Sequence, residues 1–578
     1  MNHRIVTIQF SRAGERDNVE LSPDLAYRVR IDGDPPEEFH SPWTQDQLED
    51  RIEMLRNEGD ARPTTELIRD LGKQIGQAMF AVNGMEAKLA TRDEAVTVVL
   101  QLDYPELARI PWEIATINQQ PYHHLLDRNI SIVRKVPAVI QDAQPVWPTG
   151  CNEDLRLLFV WGEGKPDDVP HKEHLPALQQ VCEEYGVELV HQEIADIASL
   201  TNLCKEAKEP FHFVHILAHG ARARNREWGL RLKDEVVNGE QIARALQAGG
   251  TIPALATISA CDSANEKDNS FGSVAYELHV YGVPLVVASQ FRLRKSVSVV
   301  SAAEVYKQLL GGGDLREMLS GIRRQLAPAD NEAWVNEVVY SSYRYESMED
   351  LVAVARQQGA LRRANAIERK ARTAAAGERQ KFMNDLDEET EKLRILVERQ
   401  KSTEVSPGAQ AETYGLLGSM QRRKARLRAD PPHEDPEDLR DARSYYEDGM
   451  RADANSHYCG INVVHISLRL GDHDKAGKYI PLVRFAAESQ IERDFWALAT
   501  AGELEVYAGN ANKAADHYRA FVRNVEANVD GKKAIVGTLN SSLRQLQEVS
   551  QVFDGEEAIR KAAEASLKVL DSGIKRNS

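Results

Sequence analysis

Between Leu155 and Phe291 the sequence alternates short apolar runs with helix-patterned stretches, and this alternation narrows the fold more than any other feature of the chain. The runs are RLLFVWG, VELVHQEI, HFVHILAHG, ALATISAC and GVPLVVASQF, with a short GLRLKD strand among them. Helical stretches separate them at His174 to Tyr185, Asp196 to Ala207, Gly239 to Ala248, and through Ala275 and Leu278. Continuous apolarity marks strands buried on both faces, so the spacing predicts a mostly parallel sheet flanked by helices. Functional groups in such α/β sheets gather at the carboxyl ends of the strands. His219 and Cys261 each occupy such an end.

The segments before and after this region read differently. TIQFSR, AYRVRIDG and AVTVVLQLD, with helical segments near residues 44–80, predict an N-terminal α/β scaffold lobe over 1–150. QDAQPVWPTGCNED, rich in Pro, Asp and turn formers, marks its boundary with a second, catalytic lobe over 151–345. From Arg362 to Lys401 charges recur at helical spacing, which predicts a solvated helix or hairpin acting as a spacer over 346–405. Over 406–578 the pattern is all-α. In FWALATAGELEVYAGNANKAADHYRAFV, Gly502, Ala514 and Tyr518 fall at the relative positions of a tetratricopeptide repeat, with Tyr518 and Phe521 expected to pack toward the next pair. Ala476 and Ile480 are placed similarly in a preceding pair, and a divergent third pair runs from ETYGLLGSMQRRKARL to DLRDARSYYEDGM around a Pro-rich insertion.

A chain of 578 residues exceeds one compact core, and its 42 % hydrophobic and 28 % charged content is that of a folded globular protein. The formal charge of −17 opposes a phosphate backbone, so nucleic acid is not an expected partner. Five scattered cysteines without CxxC spacing indicate neither a disulfide framework nor a structural zinc site and suit a reducing cytosol. With no signal-peptide-like stretch and no membrane-length apolar segment, the expected location is cytoplasmic and off the membrane. Nothing in the sequence asks for a metal or a cofactor.

The strand-end residues suit one chemistry. A thiol attacks a carbonyl as its thiolate, and an imidazole across a small gap both activates it and protonates the leaving amine. Gly220, beside His219, lets backbone approach a substrate, so the N–H groups of Gly220 and Cys261 are candidates for an oxyanion hole. Alone, a strand-end Cys is more often a buried structural thiol, and a His beside Gly a turn residue. Together, 42 positions apart in the chain, they approach the spacing of caspase-type peptidases, whose His precedes the nucleophile by ~50 residues.

The AHG element, the ISACDSA element and GSVAYELHVYGVPLVVASQF resemble the CHAT domain family of caspase-like peptidases, relatives of separases and caspases. The upstream IPWEIATI, YHHLL and ISIVRKVP resemble the Pro-Trp-Glu segment that precedes the catalytic half of these domains, here Pro111, Trp112 and Glu113. The resemblance covers roughly residues 80–325. It implies a caspase-like α/β domain with C-terminal tetratricopeptide-like repeats, His219 as general base and acid, and Cys261 as nucleophile of an endopeptidase. It further implies a protein substrate, in bacterial antiviral defence or cell death a gasdermin-like pore-forming protein, and a regulatory partner on the repeats. Relatives that cut after basic residues carry Asp two positions before the nucleophile, where this chain has Ser259. Asp262, Asp268 and Gln290 are the candidate substrate-binding residues, with Glu266 beside them and Arg222, Arg224 and Arg226 as the opposite-charge option; exposed loop charge is the alternative reading.

Other signals carry less. GEGKP at Gly162–Pro166 lacks the glycine spacing and the hydroxyl residue of a phosphate loop. His212, His215 and His219 alternate across a strand and do not converge on one ion. Gly311–Gly313 read as a helix exit. The alternative function is a catalytically silent interaction scaffold with a caspase-like core.

Overall fold

The structure is a computed structural model that describes residues 3–12, 20–56, 64–80, 89, 95–116, 130–137, 145–146, 155–163, 169–222, 228–260, 273–290, 295–311, 322, 337–342, 348–374, 378–402, 405–429, 433–529, 532–553 and 555–578. These form two compact units, one built on strands and one on helices.

The strands are β1 (His3–Ser11), β2 (Ala26–Ile31), β3 (Glu37–His40), β4 (Ala95–Leu102), β5 (Ile130–Lys135), β6 (Pro145–Val146), β7 (Arg156–Trp161), β8 (Glu188–Glu193), β9 (Phe213–Leu217), β10 (His219–Arg222), β11 (Trp228–Arg231), β12 (Val236–Val237), β13 (Ile252–Pro253), β14 (Leu255–Ser259), β15 (Leu285–Ser289) and β16 (Glu337–Ser341). Their helices of more than one turn, among the described residues, are α1 (Gln45–Arg56), α2 (Thr64–Phe80), α3 (His171–Tyr185), α4 (Ile197–Glu206), α5 (Gly239–Leu246), α6 (Val274–Val280) and α7 (Lys295–Leu310). Local chemistry sets the boundaries. Asp196 caps α4, Ser273 caps α6, and Asn238 with Gln241 forms a capping box at α5, each satisfying N–H groups that the first turn leaves unpaired.

Among the described residues eleven strands make one sheet in the order β3-β2-β1-β4-β5-β16-β15-β14-β9-β7-β8. β15, β14, β9, β7 and β8 are mutually parallel, as the apolar runs predict, and every residue of β9, β14 and β15 is buried. β8 is the edge strand and presents charged and polar residues outward. β1, β4, β5 and β16 form a second parallel block, and β16 pairs antiparallel with β15. The sheet therefore runs across the boundary expected near residue 150. The antiparallel junction has a consequence for the site, because the carboxyl ends of the two blocks open on opposite edges.

The Pro-Trp-Glu segment belongs to the edge away from His219. Trp112 is fully buried, donates from Nε1 to the Leu107 carbonyl at 2.9 Å and packs on Phe10 with ring centroids 5.3 Å apart. Glu113, also fully buried, takes Arg134 of β5 in a bidentate pair at 2.8 and 2.6 Å. Arg134 completes its donors on the carbonyls of Ala108 and Ile110. Gly72 and Gly76 of α2 let the Ile114–Thr116 backbone pass so closely that a Cβ at either would collide with a carbonyl.

Among the described residues the second unit has ten helices: α8 (Met348–Thr373), α9 (Arg379–Ser402), α10 (Pro407–Arg428), α11 (Pro436–Ala452), α12 (His457–Arg469), α13 (His473–Glu488), α14 (Phe495–Tyr507), α15 (Ala511–Asn528), α16 (Lys532–Val552) and α17 (Glu557–Asn577). The charged stretch is a pair of helices, and part of its charge turns inward, Glu389 being 2 % exposed and paired with Arg363 at 3.2 Å. On the inner faces Ala364, Ile367, Leu386, Leu393 and Leu396 make a core with Leu416, Leu417 and Met420 of α10. Gly502 of α14 meets the Tyr518 ring of α15, where an added Cβ would lie 2.8 Å from a ring carbon. Gly418 and Tyr446 repeat that contact between α10 and α11, 2.7 Å by the same measure. Phe521 shares a core with Leu539 of α16 and Ala562 of α17 in the next pair, as expected, and also meets Phe495 and Trp496 of α14 in tilted ring contacts. Gly502→Val is expected to cost about 1–3 kcal/mol through overpacking, read as a lower denaturant midpoint with an unchanged helical signal before the transition. Among the described residues no helix is long and apolar enough to cross a membrane.

Candidate active site

Four parallel strands end level with one another. Trp161 of β7 pairs with Leu217 of β9, Leu217 with Ser259 of β14, and Ile258 with Ala288 of β15. The residues that follow this row are Gly162, Ala218, Ala260 and Gln290. Gly162 donates its N–H to the Leu217 carbonyl at 3.0 Å, and Ala218 donates to Ser259 at 3.3 Å, so the strand ends stay laced together past the ladder.

His219 comes two positions after Leu217, opens β10 and is half-buried. β10 pairs antiparallel with β11, setting His219 opposite Arg231 and Gly220 opposite Leu230, so the histidine backbone is held by a small three-stranded sheet with β12. Cys261 follows Ser259 by the same two positions in sequence. Cys261, Asp262, Glu266 and Asp268 lie outside the described residues, as do Arg224 and Arg226. Gln290 directly follows β15 and is 2 % exposed. Ser259, at the position of the relatives' aspartate, is 6 % exposed and contributes its carbonyl to Ala218.

The same edge holds groups that strand patterning does not reveal. Glu337, the first residue of β16, is buried opposite Ser289 and accepts a 2.6 Å bond from Ser301 Oγ of α7. Its sequence signal is a carboxylate heading the run VVY. Trp161 stacks on His171 at 5.0 Å, and His171 Nδ1 lies 2.5 Å from Glu163. Beneath the strand ends a buried chain links α3, β9 and α7: His215 Nε2 lies 3.2 Å from His174 Nδ1, and His174 Nε2 lies 3.0 Å from Ser298 Oγ. The neighbouring His212 accepts the Arg156 N–H at 3.2 Å. His212 and His215 thus have separate partners.

Burial pushes His174 and His279 down to about 4, and burial together with His174 pushes His215 well below the ordinary imidazole range. A histidine held neutral by the fold takes a proton more readily when unfolded. Its contribution to stability is complete above the unfolded value of 6.5 and is lost as pH falls toward the folded value of about 4. The urea midpoint of the strand-bearing unit is therefore expected to drop between about pH 7 and about pH 5, and His174→Gln is expected to flatten that slope.

Among the described residues three other cysteines are buried, and burial pushes the thiols of Cys182, Cys204 and Cys459 up to about 12. They remain protonated and unreactive at neutral pH.

The CHAT domain family matches residues 69–345, a span that takes in β4, the Pro-Trp-Glu segment, the levelled strand ends and β16. The family described as Tetratricopeptide Repeats-Sensor matches residues 344–468, from α8 to the last turn of α12. No curated protein matches the chain. By these two matches the chain carries a CHAT domain, which points to a caspase-like peptidase fold, followed by a tetratricopeptide-repeat sensor region.

Proposed function

We propose that the CHAT domain is a cysteine endopeptidase working through His219 and Cys261 on a specific protein, with the helical repeats recruiting the substrate or gating the enzyme. The carrying observation is the register of β9 and β14, which levels Leu217 with Ser259, each two positions ahead of one member of the pair. In this reading His219 takes the Cys261 proton and the sulfur bonds to the scissile carbonyl carbon. Gly220 and Cys261 donate backbone N–H groups to the oxyanion, a contribution of a few kcal/mol in acyl transfer. His219 then protonates the amine as the C–N bond breaks, leaving a thioester. Water, deprotonated by His219, hydrolyses the thioester and restores the thiol. Gln290, buried at the end of β15, would fix substrate beside the pair, and Asp262 and Asp268 would meet its side chains. Burial sets Cys182, Cys204 and Cys459 aside as nucleophiles and leaves Cys151 and Cys261, both outside the described residues, of which Cys261 follows β14. A substrate of the gasdermin-like pore-forming kind, in bacterial defence or cell death, is the setting the family resemblance suggests.

The test is to incubate the full chain with a bacterial protein extract and enrich new protein N-termini for mass spectrometry. A small, reproducible set of new termini is expected. Their absence, with partners still captured by the chain, would instead support the silent scaffold.

A further inference from the structure

Helix α16 breaks the rule by which helical-pair stacks are built. In such a stack each pair touches only its neighbours, and the curvature leaves an extended concave face on which ligands bind. The first helices of successive pairs here are α10, α12 and α14, so α16, heading the last pair, should reach only the α14 pair. It reaches further. Gln545 donates to Glu503 of α14 at 3.1 Å, and Phe553, just past the helix, packs at 5.9 Å on Tyr507 of α14 and at 6.4 Å on His465 of α12. Glu548 extends to α12 and on to α10. α16 lies across the first helices of three earlier pairs.

Glu548 is the polar centre of that crossing. Its carboxylate pairs with Arg422 at 2.6 Å, Arg426 at 2.5 Å, His465 at 3.2 Å and Arg469 at 3.2 Å. Arg422 also donates to Asn462 at 2.7 Å, and Arg469 pairs with Glu434. The side chains of Arg422, His465, Arg469, Glu434 and Glu548 are each no more than 7 % exposed. Burial opposes the charge on Glu548, yet Arg422, His465 and Arg426 hold it well below the usual carboxylate range. Arg422 Nε and one Glu434 oxygen have no hydrogen-bond partner among the described residues. Packing alone does not call for this network, because apolar groups of similar shape are often as stable or more so. Ownership of the groups divides along the chain. Arg422, Arg426 and His465 fall inside the matched sensor region, which ends at residue 468, and Glu548 comes from beyond it.

We propose that the surface formed by Arg422, Arg426, His465 and Arg469 beneath α16 is a docking groove for an acidic amphipathic helix of a partner protein, and that α16 occupies it as an internal stand-in which the partner displaces. The partner's chemistry follows from α16: a carboxylate in the place of Glu548, with apolar residues in the places of Leu539, Leu546, Val549 and Phe553, which share a core with α14, α15 and α17 and must be replaced there as well. Because α16 must leave first, affinity for the partner is reduced by the fraction of chains that are open. The proposal does not rest on the peptidase reading, and its readouts do not involve turnover.

The test uses the full chain, a fluorescent peptide of residues 532–553 as the probe, and hydrogen exchange. Glu548→Arg sets a cation against three arginines and should release α16. The variant is expected to bind the probe at least about tenfold tighter than the parent chain, and exchange across 532–553 should accelerate while α12 stays protected. The probe carrying Glu548→Arg should not bind. A folded variant with unchanged exchange and no gain in probe binding overturns the proposal, as does equal binding of the charge-reversed probe. Competition by inorganic phosphate as effective as that of the unlabelled peptide would assign the arginines to a phosphate ligand and also overturn it. Should Glu548→Arg unfold the repeats, Glu548→Gln is read by exchange alone, and 532–553 remaining as slow as α12 counts against the proposal.

Discussion

Glu113→Ala is expected to destabilise the strand-bearing unit by about 3–5 kcal/mol, the cost of leaving a buried guanidinium without its counter-charge. Arg134 is 1 % exposed and directs its donors to both Glu113 oxygens and to two carbonyls of the segment that precedes them. Removing the carboxylate strands a cation that cannot reach water. Glu113→Gln keeps the shape and one acceptor, so a smaller loss is expected. Replacing both partners with apolar residues, Glu113→Leu with Arg134→Met, should recover much of the stability, because the desolvation of two charges disappears along with their attraction. Urea titration of the three variants checks the order. A single variant as stable as the parent would mean that the pair is not the fastening described here.

Cys261→Ala is expected to abolish the new N-termini, a loss of at least ~10⁴-fold, since the remaining oxyanion donors cannot form a thioester. His219→Ala removes the proton carrier but leaves the sulfur, and the expected loss is roughly 10²–10⁴-fold. His219→Ala is expected to cost no more than about 1 kcal/mol of stability, because His219 is only half-buried. The combination separates chemistry from folding. Retained cleavage in Cys261→Ala would assign the activity elsewhere.

The central strands were legible because strands buried on both faces must be apolar throughout, and LATIS and LVVAS are wholly buried in the sheet. His219 was placed correctly at a strand end because parallel strands enter and leave a sheet in one direction. Local patterning could not show that the sheet is continuous past residue 150, since β16 pairs with β5 across roughly two hundred intervening positions. Nor could it show that the Pro-Trp-Glu segment serves the far edge. That follows from the antiparallel step between β15 and β16, and strand direction is not encoded within a strand. The His174–His215–Ser298 chain escaped notice for a related reason: its members come from three elements, and each histidine alone reads as an ordinary polar residue. In the repeats, Gly502 and Tyr518 were legible from spacing. Gly418 and Tyr446 make the same contact, but the Pro-rich insertion between their helices stretches the interval.

The most direct test of the His219–Cys261 pair is the rate at which iodoacetamide alkylates Cys261, followed by peptide mass spectrometry across pH in the parent chain and in His219→Ala. Cys182, Cys204 and Cys459, their thiols pushed up to about 12, serve as unreactive internal references. A working pair predicts that Cys261 reacts at about pH 6–7, well below the ordinary thiol value of ~8.5, and that His219→Ala slows it at least about tenfold there. Equal rates in the two chains, rising only near the ordinary thiol value, would contradict the pair.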